Sequence, residues 1–254
     1  MKKYDFLLAF GCSYTDGGGL NSQNFHRYLK GNHNYSKSPE SFLDEHLEYA
    51  RLHSYSGYLA KKLDCDFQKF GIGGGSNEWI FQTAFDTLQE YKNKGNILAL
   101  IQTTHLHRRL IQLPKFNKSI NVNQVDNLKV FDRIEDQEAL KNYYNLFVAY
   151  FYDMNYEFQK VLFQIELFRK YFKDTNIDLG FLIFEKPQNG IDYPTNKNDI
   201  IQSGYLDFNK FLKFEKLTIS DLPNFPYYDT HASPIGNSAI ADIIYKQLPG
   251  FYND

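Results

Sequence analysis

The sequence predicts an α/β protein: a mainly parallel sheet of about five strands between two helical layers. Three observations predict it. Short apolar runs recur that lack the in-and-out alternation of a one-faced strand, as in strands buried on both sides. Segments with helical apolar spacing separate them, and glycine-rich turns join strand to helix. The 254 residues carry 43% hydrophobic and 23% charged side chains, enough apolar material for a continuous core and too much for a disordered chain.

The elements follow in order. Tyr4 to Phe10 is an apolar run ending at Gly11, which suits a central strand meeting a tight turn. Leu20 to Ser54 is polar, with a weakly helical stretch from Ser41 to Arg51, and reads as an insertion over the strand ends. Ser54 to Leu63 has helical spacing, and Asp66 to Phe70 is a second extended run. After the glycine loop Gly71 to Asn77, the stretch Glu78 to Lys92 places Trp79, Ile80, Ala84, Phe85 and Leu88 at helical spacing, with Ser76 or Asn77 as N-cap.

Ile97 to Ile101 is the third strand, and Pro114 to Asp136 is an irregular excursion or hairpin. Gln137 to Lys173, free of Pro and Gly, makes one or two helices including Phe158 to Phe172, and Ile177 to Phe184 is the fourth strand. Gln188 to Asp199 is a polar loop, Ile200 to Phe211 has no clear period, and Phe214 to Ile219 reads as an edge strand. Pro234 to Leu248 closes the chain as a helix. The whole of 1–254 reads as a single domain with insertions near 20–54 and 105–175.

A net charge of −2 and a pI near 6.4 give no general attraction to nucleic acid or anionic lipid, so neither is an expected partner. No run approaches the roughly 20 apolar residues that span a bilayer, and Asp5 interrupts the first apolar stretch, so a cytoplasmic location is expected by default. The two cysteines, Cys12 and Cys65, are too few for a disulfide framework and read as reduced thiols.

Three polar motifs fall at strand ends, where loops of parallel sheets converge on ligands. The first is Gly11-Cys12-Ser13-Tyr14-Thr15-Asp16-Gly17, with Ser13 at the turn from strand to helix, a nucleophile position; capping a helix is the plainer use of such a serine. The second is Phe70 to Asn77, whose glycines expose backbone N–H groups as an oxyanion hole needs, with Gly74 the best donor; a flexible turn is its plainer reading. It fails the Gly-x-Gly-x-x-Gly dinucleotide pattern at Ser76. The third is Tyr228-Asp229-Thr230-His231-Ala232-Ser233-Pro234 before the last helix. There His231 can take a serine proton near neutral pH and Asp229 can orient its ring, or cap the helix instead.

Together these motifs resemble the SGNH/GDSL hydrolase superfamily, in its variants that open with Gly-Cys-Ser-Tyr/Phe-Thr. The resemblance implies a flavodoxin-like three-layer α/β/α sandwich and an esterase with Ser13 as nucleophile, His231 as base and Asp229 as its partner. It implies oxyanion donors at the Ser13 N–H and at Gly74, with Asn77 closing the second motif. No metal or organic cofactor is required. The family's Gly-x-Asn-Asp block is replaced here by Gln102-Thr103-Thr104-His105, so the Asn donor is absent. Gln102, Thr104 or His105 then becomes the alternative donor, and some relatives carry an arginine at the position of Arg108.

The substrate class is small acyl esters, with O-acetylated carbohydrate a first guess; oligomeric state is left open. A fold-retaining binding or scaffold protein, weak or inactive in catalysis, is the alternative, and a mononucleotide-binding module is a third reading. Cys12 as nucleophile and a metal held by His105 and His107 rank lower. Arg108 and Arg109 either bind an anionic substrate group or sit in salt bridges.

Overall fold

A computed structural model of the chain describes residues 4–22, 25–26, 30–31, 44–113, 118–122, 134–184, 205–207 and 231–248. Five parallel strands form the main sheet: β1 (Phe6–Gly11), β2 (Asp66–Gly71), β3 (Ile97–Gln102), β6 (Ile177–Ile183) and β7 (Tyr205–Asp207). A separate antiparallel hairpin pairs β4 (Arg109–Leu113) with β5 (Lys118–Val122). The main sheet runs β2-β1-β3-β6-β7, which is the flavodoxin order 2-1-3-4-5.

The helices cover both faces. They are α1 (Ser13–Asp16), α2 (Asp44–His53), α3 (Tyr55–Leu63), α4 (Asn77–Tyr91), α5 (Ile134–Leu146), α6 (Met154–Phe172) and α7 (Pro234–Gln247). Crossovers between parallel strands are right-handed, and the chain steps one way from β1 to β2 and the other way from β2 to β3 and β6. The connecting helices therefore land on opposite faces. Leu8, Phe10, Ile97, Ala99 and Ile101 pack under α4 and α6 with Ile80, Phe81, Phe158 and Ile165. Alternate residues Leu7, Leu98, Leu100 and Leu182 pack on the other side with Tyr55, Leu59, Ile240 and Ile244 of α3 and α7.

The expected α/β/α layering is thus the observed one; most element bounds differ from the sequence reading by a residue or two, while α5 begins at Ile134, three residues earlier than read and inside the stretch expected to be irregular. Ser54 and Ser76 cap α3 and α4, accepting from Gly57 N at 3.3 Å and Trp79 N at 3.3 Å. The excursion after β3 opens with the β4–β5 hairpin. The long aromatic stretch is two helices joined through a π-helical turn, Phe147–Phe151, closed by Tyr152 N donating to Phe147 O at 2.9 Å. The fifth strand is Tyr205–Asp207, inside the stretch that had no clear period. The expected edge strand Phe214 to Ile219 and the loop Gln188 to Asp199 lie outside the described residues. Among the described residues, no helix is long and apolar enough to cross a membrane.

In this strand order the direction of winding reverses between β1 and β3, so a crevice opens beyond their carboxyl ends. Both Ser13 and Thr104 stand there.

Candidate functional site

Ser13 is the first residue of α1, which folds back over the end of β1. A methyl group on Gly11 would collide with Thr15 Oγ1 and come within 3.0 Å of Gln102 Cβ, so only glycine lets this turn close. Beneath the turn lies a buried polar network. Thr15 Oγ1 donates to Gln102 Oε1 at 2.7 Å and lies 2.9 Å from the Tyr55 hydroxyl, while Gln102 Nε2 donates to Cys12 Sγ at 3.3 Å. Burial pushes the Tyr55 phenol well above its ordinary range, so Tyr55 stays a neutral hydrogen-bonding strut.

His231 arrives from the far end of the chain. Ser233 caps α7, accepting from Gly236 N at 3.1 Å, and Pro234 opens the helix. Asn237 then fixes the preceding loop. Its Nδ2 donates to Ala232 O at 2.9 Å and Ser233 O at 3.2 Å, and its Oδ1 accepts from Tyr55 N at 3.0 Å.

His231 Nε2 is consequently held 2.6 Å from Ser13 Oγ, across 218 positions of sequence. Tyr14 packs on the imidazole at 4.8 Å between ring centroids. Ser13 and His231 are both half-buried, so the pair remains reachable from the crevice. The third expected member, Asp229, lies outside the described residues.

The other expected site residues occupy the same strand ends. Gly74 is buried in the loop after β2 with φ +76°, and that loop begins where Gly71 backs onto Asp16 of α1. Asn77 is a strut: its Oδ1 accepts from Thr104 N at 2.8 Å and its Nδ2 donates to Thr104 O at 3.3 Å. Gln102 is fully buried in the network under Ser13, with its amide given to Cys12 and Thr103, so the sheet core claims it as a packing residue. Thr104 is also fully buried, and its hydroxyl accepts from Arg108 Nη1 at 2.7 Å. The side-chain amides of Asn77 and Gln102 and the hydroxyl of Thr104 are thus all engaged within the protein.

His105 and His107 face each other, with centroids 5.3 Å apart, and His105 packs edge-on against Phe184 at 4.7 Å. Phe184 in turn touches Tyr14 at 5.3 Å, so an aromatic wall runs from His107 to His231. No group of three or more His, Cys, Asp or Glu side chains among the described residues is arranged to hold a metal ion.

The two cysteines are free. Cys12 is buried and accepts from Gln102, which removes it from the crevice. Cys65 is pushed up to about 11 by burial and by Asp66, Asp64 and Asp5, so it is a thiol and no nucleophile at neutral pH.

Two contributors escaped the sequence reading. Gly18 leaves room for the His231 imidazole, since a methyl group there would lie 2.8 Å from His231 Cδ2 and Nε2. Its signal was the Gly17-Gly18-Gly19 run directly after the serine motif. Asn237 had no signal, because its partners are backbone groups set by the tertiary fold. Comparison of the chain with protein-family models and with curated proteins found no match.

Proposed function

We propose that this protein is a serine ester hydrolase acting on small acyl esters, with O-acetylated carbohydrate as the leading substrate class. The observation that carries the reading is the 2.6 Å contact between Ser13 Oγ and His231 Nε2 at the strand-end crevice. With Nε2 as acceptor, the Ser13 hydroxyl gives its proton to His231 as Oγ bonds to the acyl carbon. The resulting oxyanion accepts from the Ser13 N–H, which as the first residue of α1 has no acceptor within the helix, and from the Gly74 N–H. His231 then protonates the departing alcohol, and water repeats the sequence to release the acid and restore Ser13. Asp229, two positions before His231, takes the orienting role.

The SGNH/GDSL resemblance supports the same assignment, because the family order of nucleophile, glycine donor and base fits Ser13, Gly74 and His231. Two unpaired cysteines fit a reducing, cytoplasmic setting. One observation favours a second reading, a weak or inactive relative that binds carbohydrate or serves as a scaffold. Gln102, which occupies the expected block of the missing asparagine, is spent in the core, and each absent oxyanion donor costs roughly 10²–10³ in turnover.

A fluorophosphonate reagent separates the two. The hydrolase reading expects a covalent adduct that mass spectrometry places on Ser13, lost in Ser13→Ala and in His231→Ala. It also expects p-nitrophenyl acetate turnover that falls by about three orders of magnitude or more in Ser13→Ala. Equal turnover by wild type and Ser13→Ala, with no adduct, leaves the binding-module reading standing alone.

A further inference from the structure

Two adjacent arginines follow β3, and the fold treats them oppositely. Arg109 is fully engaged: Nη1 donates to Glu78 Oε1 at 2.8 Å, Nη2 pairs with the buried Glu157, and the guanidinium lies 4.3 Å above the Phe147 ring. Arg108 meets no carboxylate among the described residues. Its Nη1 donates to Thr104 Oγ1, and its buried Nε has no hydrogen-bond partner. A guanidinium carries five N–H donors in a planar fork, so most of this one's hydrogen-bonding capacity is unspent.

The location gives that capacity a use. The β1–β3 register aligns Phe10 with Ile101, and the Gln102 to Cys12 hydrogen bond carries the alignment past the strand ends. Thr104, two residues past the end of β3, therefore leaves the sheet next to the turn that carries Ser13, two residues past the end of β1. Arg108 N donates to His105 O at 3.2 Å, a tight turn that brings the chain back so that the guanidinium rests on Thr104. Asn77 clamps Thr104 from α4, which makes the seat rigid. An unpaired cation held on a rigid, half-buried seat beside a nucleophile is the arrangement that reads an anionic oxygen group by charge-assisted hydrogen bonds.

We propose that Arg108 binds an anionic group, a carboxylate or a phosphate, carried by the substrate, so that the preferred esters are acidic ones. This rests on the hydrolase reading above and narrows it. Bound in this way, the anion supplies acceptors for the guanidinium that the protein leaves open, and it fixes the acyl carbon relative to Ser13.

The test compares matched esters with the full-length protein. Mono-4-nitrophenyl glutarate against 4-nitrophenyl acetate places the charge on the acyl side, and 3-carboxyphenyl acetate against phenyl acetate places it on the alcohol side. At low salt, kcat/KM for at least one acidic ester is expected to exceed that of its neutral partner by about tenfold or more, the yield of one charge-assisted hydrogen bond. Arg108→Gln should collapse that ratio, and Arg108→Lys, which keeps the charge without the fork, should retain part of it. Melting shifts with succinate and with inorganic phosphate, measured on wild type and Arg108→Gln, report the same seat without turnover and tell the two anions apart.

Ser13-dependent turnover with no acidic preference, or with a preference that Arg108→Gln leaves intact, overturns the anion site and spares the hydrolase. Absence of any Ser13-dependent turnover overturns the hydrolase. An anion-induced melting shift lost in Arg108→Gln would then still support the seat, and no shift would remove it.

Discussion

The imidazole of His231 packs against a backbone position that has no side chain. A methyl group at Gly18 would press on His231 Cδ2 and Nε2 at 2.8 Å, below any ordinary contact, and its φ does not require glycine. The backbone can therefore accept alanine while the ring cannot keep its place. Gly18→Ala is expected to melt within a few degrees of wild type and, on the proposed hydrolase reading, to lose roughly 10²-fold in kcat/KM, since displacement of a reacting group by about 1 Å costs that much. Fluorophosphonate labelling rate and thermal melting, measured together, check the split. A variant as active as wild type would show that His231 does not need its observed position. The glycine run was visible in the sequence, but which of its members faces the histidine depends on where the last loop returns, and no local pattern encodes that.

At the scale of elements, the described residues of the 20–54 stretch are packed together by rings. His26 stacks on His46 of α2 at 4.0 Å and 18°, its Nε2–H donates to Leu20 O at 2.9 Å, and Tyr49 meets it edge-on at 5.0 Å. Burial, then the neighbouring His46, holds His26 below its ordinary pKa; Lys30 adds to this, while Leu20 O and Glu45 oppose it. A histidine depressed in the folded state binds fewer protons there than in the unfolded chain, so its penalty is absent above the unfolded value of about 6.5. As pH falls below that value, the unfolded state gains protons first and stability drops. His26→Gln should flatten the acid side of the melting temperature plotted against pH from 7 to 5, with little change at pH 8. An unchanged slope would remove His26 as its source.

The elements themselves were largely legible, because doubly buried strands such as Ile97–Gln102 are continuous apolar runs and helices such as Asn77–Tyr91 carry a cap and a period. The three-residue Tyr205–Asp207 strand was not, since pairing with β6 defines it and its own pattern does not. The same holds for Arg109, whose carboxylates come from α4 and α6.

Across the whole molecule, the site is a property of the sheet's centre. Ser13 and Thr104 extend from β1 and β3, two of the three strands flanked on both sides in the described sheet, and Leu7, Leu8, Ala9, Phe10, Ala99, Leu100 and Ile101 are completely buried. β2, at one end of the described sheet, exposes Asp66 and Gln68 and pairs along β1. Amides of β1 and β3 can exchange with solvent only when both helical layers and both neighbours open, which amounts to global unfolding, commonly costing about 5–15 kcal/mol for a domain. Those of β2 need a single edge to fray. Hydrogen–deuterium exchange read by mass spectrometry should thus find peptides over 6–11 and 97–102 slowest, with 66–71 exchanging at least about tenfold faster through sub-global opening. Such a ranking would mean that Ser13 is mounted on the least mobile part of the protein, so that the Ser13 to His231 distance is held by the core; on the proposed hydrolase reading the surrounding loops are then left to select the substrate. Equal protection of β2 and β1 would instead assign the rigidity to the sheet as one cooperative unit, with no central platform.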